Sequence, residues 1–186
     1  MTNTKSLIAA TLALAAITAT SACAANDPKP STTATIAVTS TAITPTPSST
    51  SLSPAAQDAK DAERAIARFW AVVDALSSDP SMSLDKLALV SREPTITTWR
   101  QLLTSHRVKQ VKQIGHTTVA SVTGKPGTSG KFAVTACVDV SKVNLDNAGK
   151  SVVAANRPPR VQYLYTVEKG SDGAFYVVKD KVVQTC

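Results

Sequence analysis

The stretch KFAVTACVDV, residues 131–140, decides the fold. Phe132, Val134, Ala136, Val138 and Val140 alternate strictly, with Thr135, Cys137 and Asp139 facing the other way. Successive side chains of a strand point to opposite faces, so this period predicts a strand with one buried face. Downstream, Val161, Tyr163, Tyr165 and Val167 alternate again, and Gly170-Ser171-Asp172-Gly173 predicts a hairpin turn into a strand over 175–183. Upstream, Thr117 to Thr123 is short and β-branched, and GKPGTSG at 124–130 predicts the turn that follows it. Residues 141–160 form a long polar connection, with a short strand expected over 151–155.

Before Gly115 the period changes. Ala59, Ala62, Ile66, Phe69, Val73 and Leu76 recur at spacings of three and four, the stripe of an amphipathic helix from Pro54 to about Ser77. Ser53 suits the N-cap and Pro54 the first helical position. Trp70 borders the stripe, and Asp79-Pro80 ends it. Ser83 predicts the cap of a short helix packing Leu84 and Leu87, with Val90 a further candidate. After Pro94, Thr95 or Thr97 predicts the cap of a third helix with Ile96, Trp99 and Leu103 inward. Helices followed by antiparallel strands make an α+β layout, with one curved sheet wrapped on the long helix.

The chain has 186 residues and a formal net charge of +7. All eight aromatics lie between Phe69 and Tyr176, so the core belongs to the C-terminal two-thirds. Between Ser31 and Ser53, 14 of 23 residues are Ser or Thr, with Pro45 and Pro47 among them and neither charge nor aromatic. Such a segment buries too little apolar surface to offset its ordering entropy, so residues 23–53 are expected to be a disordered tether. The globular domain is expected over 54–186.

Residues 1–22 carry Lys5, an apolar run from Leu7 to Ala19, and Thr20-Ser21-Ala22 ahead of Cys23. The run is too short to span a bilayer. The segment resembles a bacterial lipoprotein signal peptide, which implies cleavage before Cys23 and lipidation of that residue. An ordinary secretory signal cut near Ala22 or Ala25 is the alternative. Two or three acyl chains anchor stably where one does not, so the lipoprotein reading puts the domain on the outer face of the cell membrane. Thr/Pro-rich tethers of this kind resemble those O-mannosylated in actinobacteria.

Across residues 55–186, the stretches Ala62–Asp74, Cys137-Val138-Asp139, Gly149–Val153, Tyr165-Thr166-Val167 and Ala174–Val177, with a terminal Cys, resemble the nuclear-transport-factor-like (cystatin-like) cone fold. More narrowly, they resemble small actinobacterial lipoproteins of that fold, encoded by the host or by a phage. The resemblance implies helices on a cone-like antiparallel sheet. It admits three roles: a non-enzymatic module binding a ligand or partner at the envelope, a superinfection-excluding phage lipoprotein, and an enzyme with a pocket inside the cone. Enzymes of the fold keep Asp and His in that pocket, which makes Asp139 the acidic candidate here. Its strand alternation turns it away from the apolar face, toward ordering the 141–160 loop, so no catalytic residue is assigned.

Cys137 and Cys186 remain after Cys23, and outside the cytoplasm their pairing is expected, a reactive thiol being the alternative. His106 and His116 stand ten residues apart with no second ligand motif nearby, so neither metal nor cofactor is expected. No Gly-x-Ser-x-Gly is present. Arg100, Arg107, Lys109 and Lys112 cluster in sequence. Outside a membrane their acidic partners are anionic lipid, an anionic wall polymer or an envelope protein rather than nucleic acid; a solvated basic face is the alternative.

Overall fold

The computed structural model describes residues 52–186. The signal segment 1–22, the lipidation candidate Cys23 and the tether up to residue 51 lie outside the described residues. Helix α1 runs Pro54–Ser78. The Ser53 hydroxyl accepts from the Ala56 N–H at 3.3 Å, with Pro54 opening the helix. Every residue of the predicted stripe is buried, and Ala65 and Trp70 join it. Burying a Phe, Ile, Leu or Val side chain stabilises by about 1.5–3 kcal/mol, so Ile66, Phe69, Val73 and Leu76 make α1 the anchor of the core.

A 3-10 turn follows at Leu84–Leu89, where the Ser83 hydroxyl accepts from the Asp85 N–H at 3.2 Å. Helix α2 spans Thr95–Val108. Neither threonine caps it. Pro94, which follows a cis peptide bond, occupies the cap position, and the Glu93 carboxylate accepts from the Thr97 N–H at 3.3 Å. A carboxylate in that place meets the positive end of the helix dipole as well as an orphan donor. Leu103 is fully inward, whereas Ile96 and Trp99 are half-buried.

Seven strands follow: β1 Val111–Ile114, β2 Thr118–Pro126, β3 Lys131–Asp139, β4 Asn144–Asn147, β5 Lys150–Ser151, β6 Arg160–Lys169 and β7 Phe175–Thr185. All pair antiparallel, so the fold is α+β. They form two sheets, not one. A four-stranded sheet has the order β2-β3-β6-β7, and a three-stranded one the order β1-β4-β5. β1–β4 continues the β2–β3 hairpin beyond a break. Gly115, with φ +81, interrupts one side, and the turn closed by Val143 N–H to the Val140 carbonyl at 3.0 Å interrupts the other. No strand runs over 151–155: only Ser151 pairs, in the two-residue β5, which turns back on β4 through Ala148 and Gly149, both at positive φ.

Helix α1 also secures the open edge of β2. The Glu63 carboxylate accepts from the Gly124 N–H at 2.8 Å. Three turns on, Asp74 accepts from the Thr117 N–H at 2.7 Å, the Thr117 hydroxyl at 2.8 Å and the Gln113 amide at 2.6 Å. Unpaired edge donors invite other strands, and two helix carboxylates occupy them here.

Candidate functional site

In a helix-on-sheet domain the space between the two layers is the natural place for a pocket. Here α1, α2 and β6 fill it with aromatic rings. Trp70 lies edge-on to Trp99 at 5.5 Å and to Tyr163 at 5.6 Å, and Phe69 lies edge-on to Trp99 at 5.5 Å. The Trp70 indole N–H donates to the Tyr165 hydroxyl at 2.8 Å within the core. Edge-to-face rings add about 0.5–1.5 kcal/mol per pair beyond their burial, so the cluster is a rigid wall.

One carboxylate enters this wall. The Trp99 indole N–H donates to Asp180 of β7 at 3.2 Å. Burial pushes the Asp180 carboxyl above the usual range, partly offset by that bond. Burial, followed by the charge of Asp180, raises the neighbouring Tyr163 hydroxyl. Alternation from the inward Phe175 and Val177 would turn Asp180 outward. The bulge at Val178, where Val167 pairs with Val177 and Thr166 with Lys179, turns it inward instead, which is why the sequence does not show it.

Asp139 lies on the opposite face of the sheet. It accepts from the Ser141 N–H at 2.9 Å and from the Arg160 Nε at 3.0 Å. Ser141, followed by the Arg160 guanidinium, holds its carboxyl down to about 2. A carboxylate so committed orders the start of the 141–160 connection. The two histidines line different cavities. His106 faces one of about 350 Å³ with Lys109, Leu145 and Val152, and His116 faces one of about 440 Å³ with Trp70 and Asp74. Burial and then Lys109 push the His106 imidazole below its ordinary value. Among the described residues no group of three His, Cys, Asp or Glu is placed to hold a metal ion.

The basic cluster is dispersed by the fold. Arg100 on α2 pairs with Asp85 at 3.1 Å, and Arg107 donates to the Met82 carbonyl at 2.7 Å, both clamping the 3-10 turn. Lys109 stands past the end of α2, and Lys112 lies on β1 across from Asp146. Of the four, Lys109 and Lys112 point their charge to solvent without a carboxylate within ion-pair distance among the described residues.

Cys137 and Cys186 are joined in a disulfide. It lies on the sheet face that neither α1 nor α2 covers. That face is formed by Ser121, Thr123 and Lys125 of β2, Ala133 and Thr135 of β3, Leu164 and Thr166 of β6, and Lys179 and Lys181 of β7, which the strand registers bring side by side. A shallow depression of about 260 Å³ is lined by Ala133, Leu164, Thr166, Lys179 and Lys181.

No protein-family model matches the chain, and no curated protein matches it. Among solved structures, the intermembrane-space region of the chloroplast protein ARC6 is similar in fold, at 12% identity and a TM-score of 0.51, covering 69% of this chain and 98% of that one. A de novo designed β-sheet protein aligns at 15% identity over 68% of this chain and 90% of its own, with a TM-score of only 0.34.

Proposed function

We propose that this chain is a lipid-anchored, extracytoplasmic module that binds a ligand or partner at the cell envelope and does no chemistry of its own. The observation that carries the binding reading is the filled interior. The volume in which a pocket enzyme of a helix-on-sheet fold would hold substrate is occupied by Phe69, Trp70, Trp99 and Tyr165. The carboxylates nearest it have structural partners: Asp180 holds Trp99, and Asp74 holds Gln113 and Thr117. What is left for a ligand is the surface and the open clefts at the rim of the two layers, such as the one lined by Trp70, Asp74 and His116.

The anchor reading rests on the sequence: Lys5, the apolar run Leu7–Ala19 and small residues leading to Cys23. Among the described residues no helix is long and apolar enough to cross a membrane, which is compatible with attachment through Cys23. The test feeds an alkyne-tagged fatty acid to bacteria producing the full chain. Wild type is expected to be labelled and to sediment with membranes. Cys23→Ala is expected to lose the label and the sedimentation together. Unlabelled wild-type protein in the medium would overturn the anchor.

A further inference from the structure

We propose that the uncovered face of the four-stranded sheet, and not the α2 cluster, is the anion-binding surface, and that its occupant is a linear polyol polymer with repeated phosphodiester groups. This deepens the envelope-binding reading and rests on it for the choice of partner.

The charges come first. Lys131 pairs with Glu168 at 3.5 Å, and Arg160 pairs with Asp139 at 3.0 Å, so these cancel on the same face. Lys125, Lys179 and Lys181 are left, and among the described residues none has a carboxylate within ion-pair distance. The face therefore keeps a positive surplus gathered on one sheet surface, whereas in the α2 cluster Arg100 is neutralised by Asp85 and the two unpaired lysines, Lys109 and Lys112, stand on different elements.

The arrangement comes second. In the registers Lys125 stands opposite Ala133, Ala133 opposite Thr166, and Thr166 opposite Lys179. The row thus has a lysine at each edge and small residues between. Three strand spacings separate the two lysines, about 14 Å, and Lys179 and Lys181 are about 7 Å apart along one strand. The small side chains of Ala133 and Thr166 leave the depression of about 260 Å³. A chain crossing the strands can lie in it with its anionic groups toward a lysine at either end.

The floor comes third. Thr166 lines the depression, and the registers place Thr123 and Thr135 beside it on the same face. Of its large apolar lining residues Val134 and Tyr165 are buried, which leaves Leu164 as the exposed one. A stable protein partner needs a wide apolar centre, and a bilayer needs side chains that insert. Hydroxyls flanked by lysines suit a hydrated polymer whose links are polyols and whose charge persists at every physiological pH. Lys is a compact point charge that a single phosphodiester satisfies.

The test measures binding of fluorescent poly(glycerol phosphate) to the full chain in neutral detergent by anisotropy, with salt varied. Changing Lys125, Lys179 and Lys181 together to Ala is expected to weaken binding about tenfold or more and to flatten its salt dependence. Changing them to Arg is expected to preserve binding, and Lys109→Ala with Lys112→Ala is expected to leave it unchanged. Circular dichroism melts confirm that each variant is folded. Unchanged binding by the Ala variant, or a loss confined to the Lys109 and Lys112 variant, would overturn the proposal. Equal binding of polyglutamate or of phosphatidylglycerol vesicles would also overturn the choice of polymer. Acyl labelling of the same sample reports separately on the anchor, so failure of one reading is distinguishable from failure of the other.

Discussion

Cys186 is bonded to Cys137 although β6 runs between the strands that lead to them. Thr185 still pairs with Val161 in the β6–β7 ladder, and Cys137 pairs with Gln162 in the β3–β6 ladder. Two strand spacings would put the cysteines about 10 Å apart. Their Cα atoms are 6.0 Å apart, so the last residue leaves the ladder and crosses over β6 on the uncovered face. A chain end that would otherwise fray is fixed to the second strand of the sheet.

Removing that bond frees a loop closed over a separation of 49 residues. The chain-entropy model assigns such a loop about 4 kcal/mol, and Cys137→Ser is expected to lower Tm by roughly 5–15 °C without abolishing the fold. Mass mapping without reductant should find the 137–186 linkage. Alkylation of both thiols in native, unreduced protein would contradict it.

Asp180 and Asp139 predict opposite responses to pH. Asp180 titrates above its unfolded value because burial disfavours its charge. The folded state therefore binds that proton more tightly, and its contribution to stability falls as pH rises from the unfolded value, about 3.9, through the raised one. Asp180→Asn keeps an acceptor for the Trp99 N–H and removes the buried charge. It is expected to be more stable than wild type at pH 7, with the difference closing near pH 3. Denaturant melts at the two pH values decide; an equal deficit at both would sink the idea.

Asp139 works the other way. Its carboxyl is held down to about 2, so its contribution is complete above the unfolded value and is lost as pH falls toward 2. Because the half-buried carboxylate bonds only to Ser141 and Arg160 at the end of the sheet, the effect is local. Asp139→Asn is expected to speed proteolysis within residues 141–160 at pH 7 and to leave the global melt nearly unchanged. Cleavage at the wild-type rate would show that Asp139 does not order this connection.

What the sequence disclosed depended on period. The stripe from Ala59 to Leu76 and the alternation from Phe132 to Val140 are long enough to specify an element and its buried face, and the structure buries both, Val140 beyond the strand's end only in part. The division into two sheets was hidden, since β4 reads Asn144-Leu145-Asp146-Asn147, residues poorly suited to strands except for the leucine. Pairing with β1 overrides that propensity. The α2 cap was hidden for a related reason: Glu93 acts across Pro94, where a search for Ser, Thr or Asn in the cap position misses it. The basic cluster was legible as composition only. Which lysines share a surface depends on strand register, which links Lys125 to Lys179 across four strands and far apart in sequence.

The break between the sheets turns on Gly115, and a second glycine provides its control. Gly115 has φ +81 and Gly149 has φ +82, so the backbone cost of a side chain is the same at both. Their surroundings differ. An added Cβ at Gly149 meets nothing within 4 Å, whereas at Gly115 it would overlap the backbone carbonyl oxygen of Lys142. That carbonyl cannot retreat freely, because Val143, the next residue, is tied to Val140 at 3.0 Å and buried. Nor can Gly115 move outward, because Asp74 holds Gln113 at 2.6 Å on one side and Thr117 at 2.7 Å on the other. Gly149→Ala is therefore expected to cost about 1 kcal/mol, the left-handed backbone term alone. Gly115→Ala is expected to cost about 3 kcal/mol or more, the excess being the displacement of the Lys142 backbone. Denaturant melts of the two variants against wild type measure the difference directly. Equal losses would mean that the chain opens at the break without resistance, and that Asp74 does not hold the two sheets to helix α1.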